Sequence, residues 1–177
     1  MKLTWFGGTT IRIHIGGAIL VLDAAGAPAG IDAAELVSGA DTVIDGFGAG
    51  LPAVDSRSWK PRKPPRLLDE DDEPAPVEAW LAGNGAVLID AMGETPLLLV
   101  SGEVPPLGRW TDNAVVVLFG SGERLSALGE SVLDDTPPRL LALAGEETAI
   151  DAALPALRDR LDGTGLVALE AGMALEI

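Results

Sequence analysis

KLTWFGGTTIRIHIGGAILVLDAA (residues 2–25) reads as three short strands separated by two glycine pairs. "LTWF", "TIRIHI" and "AILVLD" are rich in β-branched and aromatic residues. Gly7–Gly8 and Gly16–Gly17 supply the tight turns between them. In the middle strand Ile11, Ile13 and Ile15 share one face, with Arg12 and His14 on the other. This predicts a β-meander with one apolar face.

Working outward, "IDAAELV" (31–37) predicts a short helix with Asp32 near its start, and "DTVID" (41–45) a buried strand. Residues 46–76 are rich in Gly and Pro and read as a long irregular loop. A basic cluster (Arg57, Lys60, Arg62, Lys63, Arg66) is followed there by an acidic one, "DEDDE" (69–73). Strands resume with "VEAWLA", "AVLID", "PLLLVS" and "AVVVLF", the first two joined by the hairpin signal Asn84–Gly85. "GERLSALGESVL" (122–133) predicts a helix, and "RLLALA" another strand. In "AIDAALPALRDRL", Ile150, Leu154, Leu157 and Leu161 form one helical stripe. Pro155 places the start of that helix near itself. "GLVALEAGMALEI" closes the chain as two short strands around "EAG". The expectation is one domain over 1–177.

Composition excludes much. The chain has no cysteine, which removes disulfides, thiolate metal sites and thiol nucleophiles. Twelve Lys and Arg against 27 Asp and Glu give a net charge of −15, which argues against nucleic acid and anionic membrane partners. No apolar run reaches the length of a membrane span, and the N-terminus lacks a signal-peptide core. A cytoplasmic location is expected.

The opening strand–turn–strand, the Gly-Gly turn and the apolar strand ending at Asp23 resemble the metallo-β-lactamase superfamily. The similarity is greatest to its small metal-dependent hydrolase branch, which includes the ascorbate-phosphate lactonases. The ending "GLVALEAGMALEI" resembles that family's last two strands. The resemblance covers both ends of the chain well and the middle (80–145) loosely. It implies an α/β fold, an αββα sandwich of metallo-β-lactamase type, trimmed in this chain.

The resemblance also implies a metal motif, His-x-His-x-Asp-His, after an apolar strand. With Asp45 just before that motif, Gly46, Gly48, Gly50 and Leu51 occupy the four ligand positions. Gly8 stands where the family's early Gly-His-Ser histidine falls. Glu103 stands near its Gly-Asp-Thr aspartate, and Gly145 or Glu146 near its last histidine. A dinuclear site of this kind needs about four or five imidazoles, and the chain has one, His14, on a strand. The expectation is therefore a pseudoenzyme with no metal and no cofactor, acting as a binding or assembly component through a protein partner or self-association.

Two other readings stay open. One is a hydrolase with a rebuilt carboxylate site around Asp23, Asp45 and Glu103. The other is a small-ligand sensor using the vacated cleft. Further candidates are a hard cation at "DEDDE", an anion at Gly120–Ser121–Gly122, and a serine nucleophile (Ser101, Ser121 or Ser126) served by His14. Each competes with a plain structural role: a solvated loop, a Ser121 helix cap, a strand histidine. Trp5 and Trp80 are expected in the core. Trp59, with Arg57 and Arg62, is the candidate partner-binding group.

Overall fold

The computed structural model describes residues 1–48, 50–62 and 76–177. The "DEDDE" cluster, Lys63 and Arg66 lie outside the described residues. The chain forms a mixed α/β structure with two mixed sheets and few helices.

The first sheet contains β1 (Lys2–Gly7), β2 (Thr10–Ile15), β3 (Ala18–Leu22), β4 (Thr42–Ile44) and, from the far end of the chain, β11 (Ala174–Glu176). Their order is β11-β1-β2-β3-β4, antiparallel except for β3 with β4. Gly16 and Gly17 have φ of 57° and 82°, so Ile15 pairs directly with Ala18 across a two-residue turn. A side chain would be strained at both positions.

The second sheet contains β5 (Glu78–Gly83), β6 (Ala86–Asp90), β7 (Leu97–Val100), β8 (Val115–Phe119), β9 (Leu140–Ala144) and β10 (Gly165–Ala168), in the order β10-β9-β8-β7-β6-β5. The β5–β6 hairpin turns at Asn84–Gly85 as expected. Strands β7 to β10 run parallel. Helices α2 (Gly122–Asp135) and α3 (Glu147–Arg158) connect β8 to β9 and β9 to β10. Parallel neighbours need such crossovers, which cover the sheet's second face.

That covering explains a contrast in pattern. In β2 the three isoleucines are buried, whereas Arg12 and His14 are half-buried. In β8 every residue is buried, because the inter-sheet core lies on one side and the helices on the other. Leu3, Trp5, Ile13 and Leu20 of the first sheet pack with Val87, Leu99, Val117 and Phe119 of the second. Leu88, Leu98, Val116 and Leu143 face Leu125, Val132 and Leu157 of the helices. A third, small cluster places Leu36 of α1 (Ala33–Val37) against Val21. Asp32 caps α1 by accepting from Ala34 N at 2.8 Å, and Arg12 donates to its last carbonyls, Leu36 at 2.8 Å and Ser38 at 3.1 Å.

Four expectations are corrected. β4 is not buried: it is an edge strand, with only Ile44 inside and Val43 exposed. Helix α3 begins at Glu147, well before Pro155. Pro155 is exposed, so water can serve the Asp151 carbonyl that loses its helical donor. Ser121 occupies the N-cap of α2, yet its side chain makes no capping bond. Trp80 is half-buried on edge strand β5 and not a full core residue, unlike Trp5 at 4% exposure. The two closing strands also part company, β10 joining one sheet and β11 the other.

Candidate functional site

The parallel strands β7, β8 and β9 deliver their following loops to one end of the molecule. Ser101, Gly120 and Glu146 gather there, and the β1–β2 turn brings Gly8 and Thr9 from the first sheet. Between them lies a cleft of about 320 Å³, with Trp5, Phe119 and Ala144 as its apolar wall. Carboxyl ends of parallel strands are where open α/β sheets hold ligands. Arg124 of α2 also borders this cleft, but its guanidinium is spent on main chain: Nε donates to Ser101 O at 3.1 Å and Nη2 to Gly102 O at 2.9 Å.

Asp23 sits beside this end in a left-handed conformation, φ 52° and ψ 50°, which a residue with a Cβ adopts at some cost. Two threonines hold it. Thr9 Oγ1 donates to its carboxylate, and buried Thr10 Oγ1 donates to its carbonyl at 2.7 Å. Asp23 N donates to Ile44 O at 2.8 Å, tying the ends of β3 and β4 together. Gly8 has φ 54°, a left-handed conformation that glycine adopts without strain. A Cβ on Gly46 would lie 4.0 Å from an Asp23 carboxylate oxygen, so the start of the GFGAGL loop reaches Asp23. Phe47 of that loop packs edge-on against Phe119, ring centroids 5.6 Å apart, and Leu51 packs against the inter-sheet core.

A dinuclear metal centre does not fit these residues. Gly8, Gly46, Gly48, Gly50 and Leu51 have no donor atoms to offer. Asp23's carboxylate is bonded to Thr9, and Asp45 and Glu103 are exposed. Glu103 N is tied to Asn84 O at 2.8 Å, on the β5–β6 turn, and its side chain does not line the cleft. Among the described residues no three His, Asp or Glu side chains are grouped to hold a metal. His14 lies four residues along β2 from Thr10, about 13 Å away. Burial, with Arg12 and Lys2 nearby, lowers its pKa from 6.5.

The serines fare no better as nucleophiles. Ser101 lines the cleft without a histidine, since His14 borders a different concavity, and Ser126 Oγ donates back to Gly122 O at 2.9 Å. The Gly120–Ser121–Gly122 segment borders a concavity shared with Glu123 and Glu146, whose charges disfavour an anion.

The partner-binding candidates lie at the other edge of the second sheet. Trp59 is half-buried and stacks between Trp80 (5.9 Å) and Trp110 (5.2 Å, edge-on). Trp110 Nε1 donates to Ser56 O at 2.6 Å. Asp55 closes this turn by accepting from Ser58 Oγ at 2.7 Å and Arg57 N at 3.1 Å, and these bonds lower its pKa. Arg62 is used internally: Nε donates to the buried carboxylate of Asp90 at 2.8 Å, and Nη2 to the carbonyls of Pro76 and Asp90. Only Arg57 of the three stands exposed. No local pattern marked Asp90 as the partner of Arg62, since 28 residues separate them.

No helix among the described residues is long and apolar enough to cross a membrane. No protein-family model matches the chain, and no curated protein matches it. Among solved structures it is similar to the isothiocyanate hydrolase from Delia radicum gut bacteria. The TM-score is 0.56, covering 100% of this chain and 99% of that one, at 12% identity. This likeness is one of fold.

Proposed function

We propose that this chain is a catalytically degenerate protein of the metallo-β-lactamase type, with an αββα sandwich, that acts by binding and not by hydrolysis. The observation that carries this reading is the end of the molecule where Asp23 meets the GFGAGL loop. The positions that the family resemblance assigns to metal ligands hold glycine and leucine there. The Asp23 carboxylate accepts a hydrogen bond from Thr9 Oγ1, and Phe47 is packed on Phe119. The cleft beside them persists as a concavity without an activated nucleophile. Its role is that of a binding or assembly component, with a protein partner or a second copy as the macromolecular ligand. Fold alone does not make a hydrolase, and the distant likeness to an isothiocyanate hydrolase carries no activity to this chain.

The test is elemental analysis of the purified protein after dialysis without chelator, with a hydrolysis screen of esters, lactones and phosphodiesters. The expected result is less than about a tenth of an equivalent of zinc, iron or manganese, and no turnover. Near-stoichiometric metal with turnover that is lost in Asp23→Asn would overturn it. Light scattering and pull-downs from the source test the assembly role. A monomer that retains no partner would remove it.

A further inference from the structure

We infer that the groove between α3 and the β10–β11 connection binds an organic cation with an apolar body. The groove measures about 540 Å³, the size of a small-molecule pocket. Its floor is apolar: Trp5 and Leu169 are each 4% exposed, and Ile150 and Leu154 of α3 are half-buried beside them. Its rim carries Glu146, Glu147, Asp151 and Glu170, all exposed.

None of the four carboxylates joins an ion pair or side-chain hydrogen bond among the described residues. The ion pairs found there involve Glu78, Asp90, Glu94, Glu130 and Asp134. Part of this acidity has a local reason, because Glu147 in the first turn of α3 suits the helix dipole. Asp151 lies one turn further in, and Glu170 belongs to another segment altogether, so the dipole accounts for neither. On α3, Ile150 and Leu154 (i, i+4) share a face, and Asp151, three residues before Leu154, flanks that apolar pair at its edge.

Charge then selects the occupant. An anion is repelled by the rim and by a chain of net charge −15. A bare metal ion is not favoured, because no three of the carboxylates are grouped to hold one among the described residues. Spread carboxylates around an apolar floor suit a cation whose charge stays at the rim while its body covers Trp5, Leu154 and Leu169. This inference goes beyond the proposed binding role, whose ligand is a macromolecule, and stands on the groove itself. Metal content and hydrolysis test the role, whereas cation titration tests the groove.

The experiment is calorimetric titration of the full chain with 4-phenylbutylammonium, using 4-phenylbutanoate and butylammonium as controls. Saturable one-to-one binding of the phenyl cation is expected, weakening as salt is raised. The carboxylate of the same body should not bind, and butylammonium should bind about tenfold or more weaker. Asp151→Asn with Glu170→Gln should reduce affinity about 5- to 10-fold at unchanged melting temperature. Absence of saturable binding, equal binding of 4-phenylbutanoate, or unaltered affinity in the double variant would each overturn the inference. So would binding of a lysine-rich peptide where the small cation fails.

Discussion

At one edge of the six-stranded sheet, β5 is roofed by the chain itself: Leu81 N donates to Pro52 O at 2.9 Å and Val54 N to Leu81 O at 3.0 Å. Three tryptophans pack over that edge, and Arg62 is paired with buried Asp90. At the other edge, β10 has a short half-exposed strand, and the groove beside it has four carboxylates with no cation facing them among the described residues. The same chemical types, acid and aromatic, serve different ends at the two edges. Where each polar group has its partner the edge is a structural joint. Where charge surrounds an apolar floor without a partner among the described residues, the edge is left open.

The largest effect should come from breaking the closed edge. Trp110→Ala removes a nearly buried ring and its bond to Ser56, and should cost about 4 kcal/mol by chemical denaturation. A loss under about 1 kcal/mol would mean that the aromatic corner is ornament to the fold.

Arg62→Ala comes next. It leaves the Asp90 carboxylate, 1% exposed, without its cation, and should cost about 3 kcal/mol. Replacing both partners with apolar residues, Arg62→Met with Asp90→Leu, should recover much of that loss, since the desolvated charge is then gone. Failure to recover would show that the bonds to the Pro76 and Asp90 carbonyls matter more than the charge.

The open edge should behave in the opposite way. Asp151→Asn with Glu170→Gln touches no partner and should change stability by less than about 0.5 kcal/mol. A large loss would mean that the rim is structural and the contrast between the edges is false.

The smallest effect concerns His14. Its folded pKa lies below the ordinary 6.5, so the unfolded chain takes up the proton more readily. The stability linked to neutral His14 is therefore fully present above pH 6.5 and is lost as pH falls through the folded value. As the chain's only histidine, it gives an unambiguous NMR titration, and His14→Gln should remove that part of the pH dependence.

Local pattern was enough for most of the elements. Alternation marked β2, the continuous apolar run marked β8, and paired glycines marked the first two turns. Composition was legible too, since one histidine and no cysteine bound which side-chain chemistries any site can use, whatever the fold. Gly8, and Gly145 or Glu146, stand at ligand positions only through the family resemblance; they line the cleft, whereas Gly46, Gly48, Gly50, Leu51 and Glu103, placed by the same resemblance, do not.

Tertiary structure decided the rest. Whether β10 and β11 join the same sheet depends on partners far along the chain, which no local period records. Pro155 sits within α3 because its face is exposed, and Trp59 is packed because Trp80 and Trp110 arrive from elsewhere. Asp90 is a charge in an otherwise apolar strand until Arg62 folds onto it. Composition limits which reactions a chain can perform. Which charges end up paired, and which are left facing an open groove, is set only when distant segments pack together.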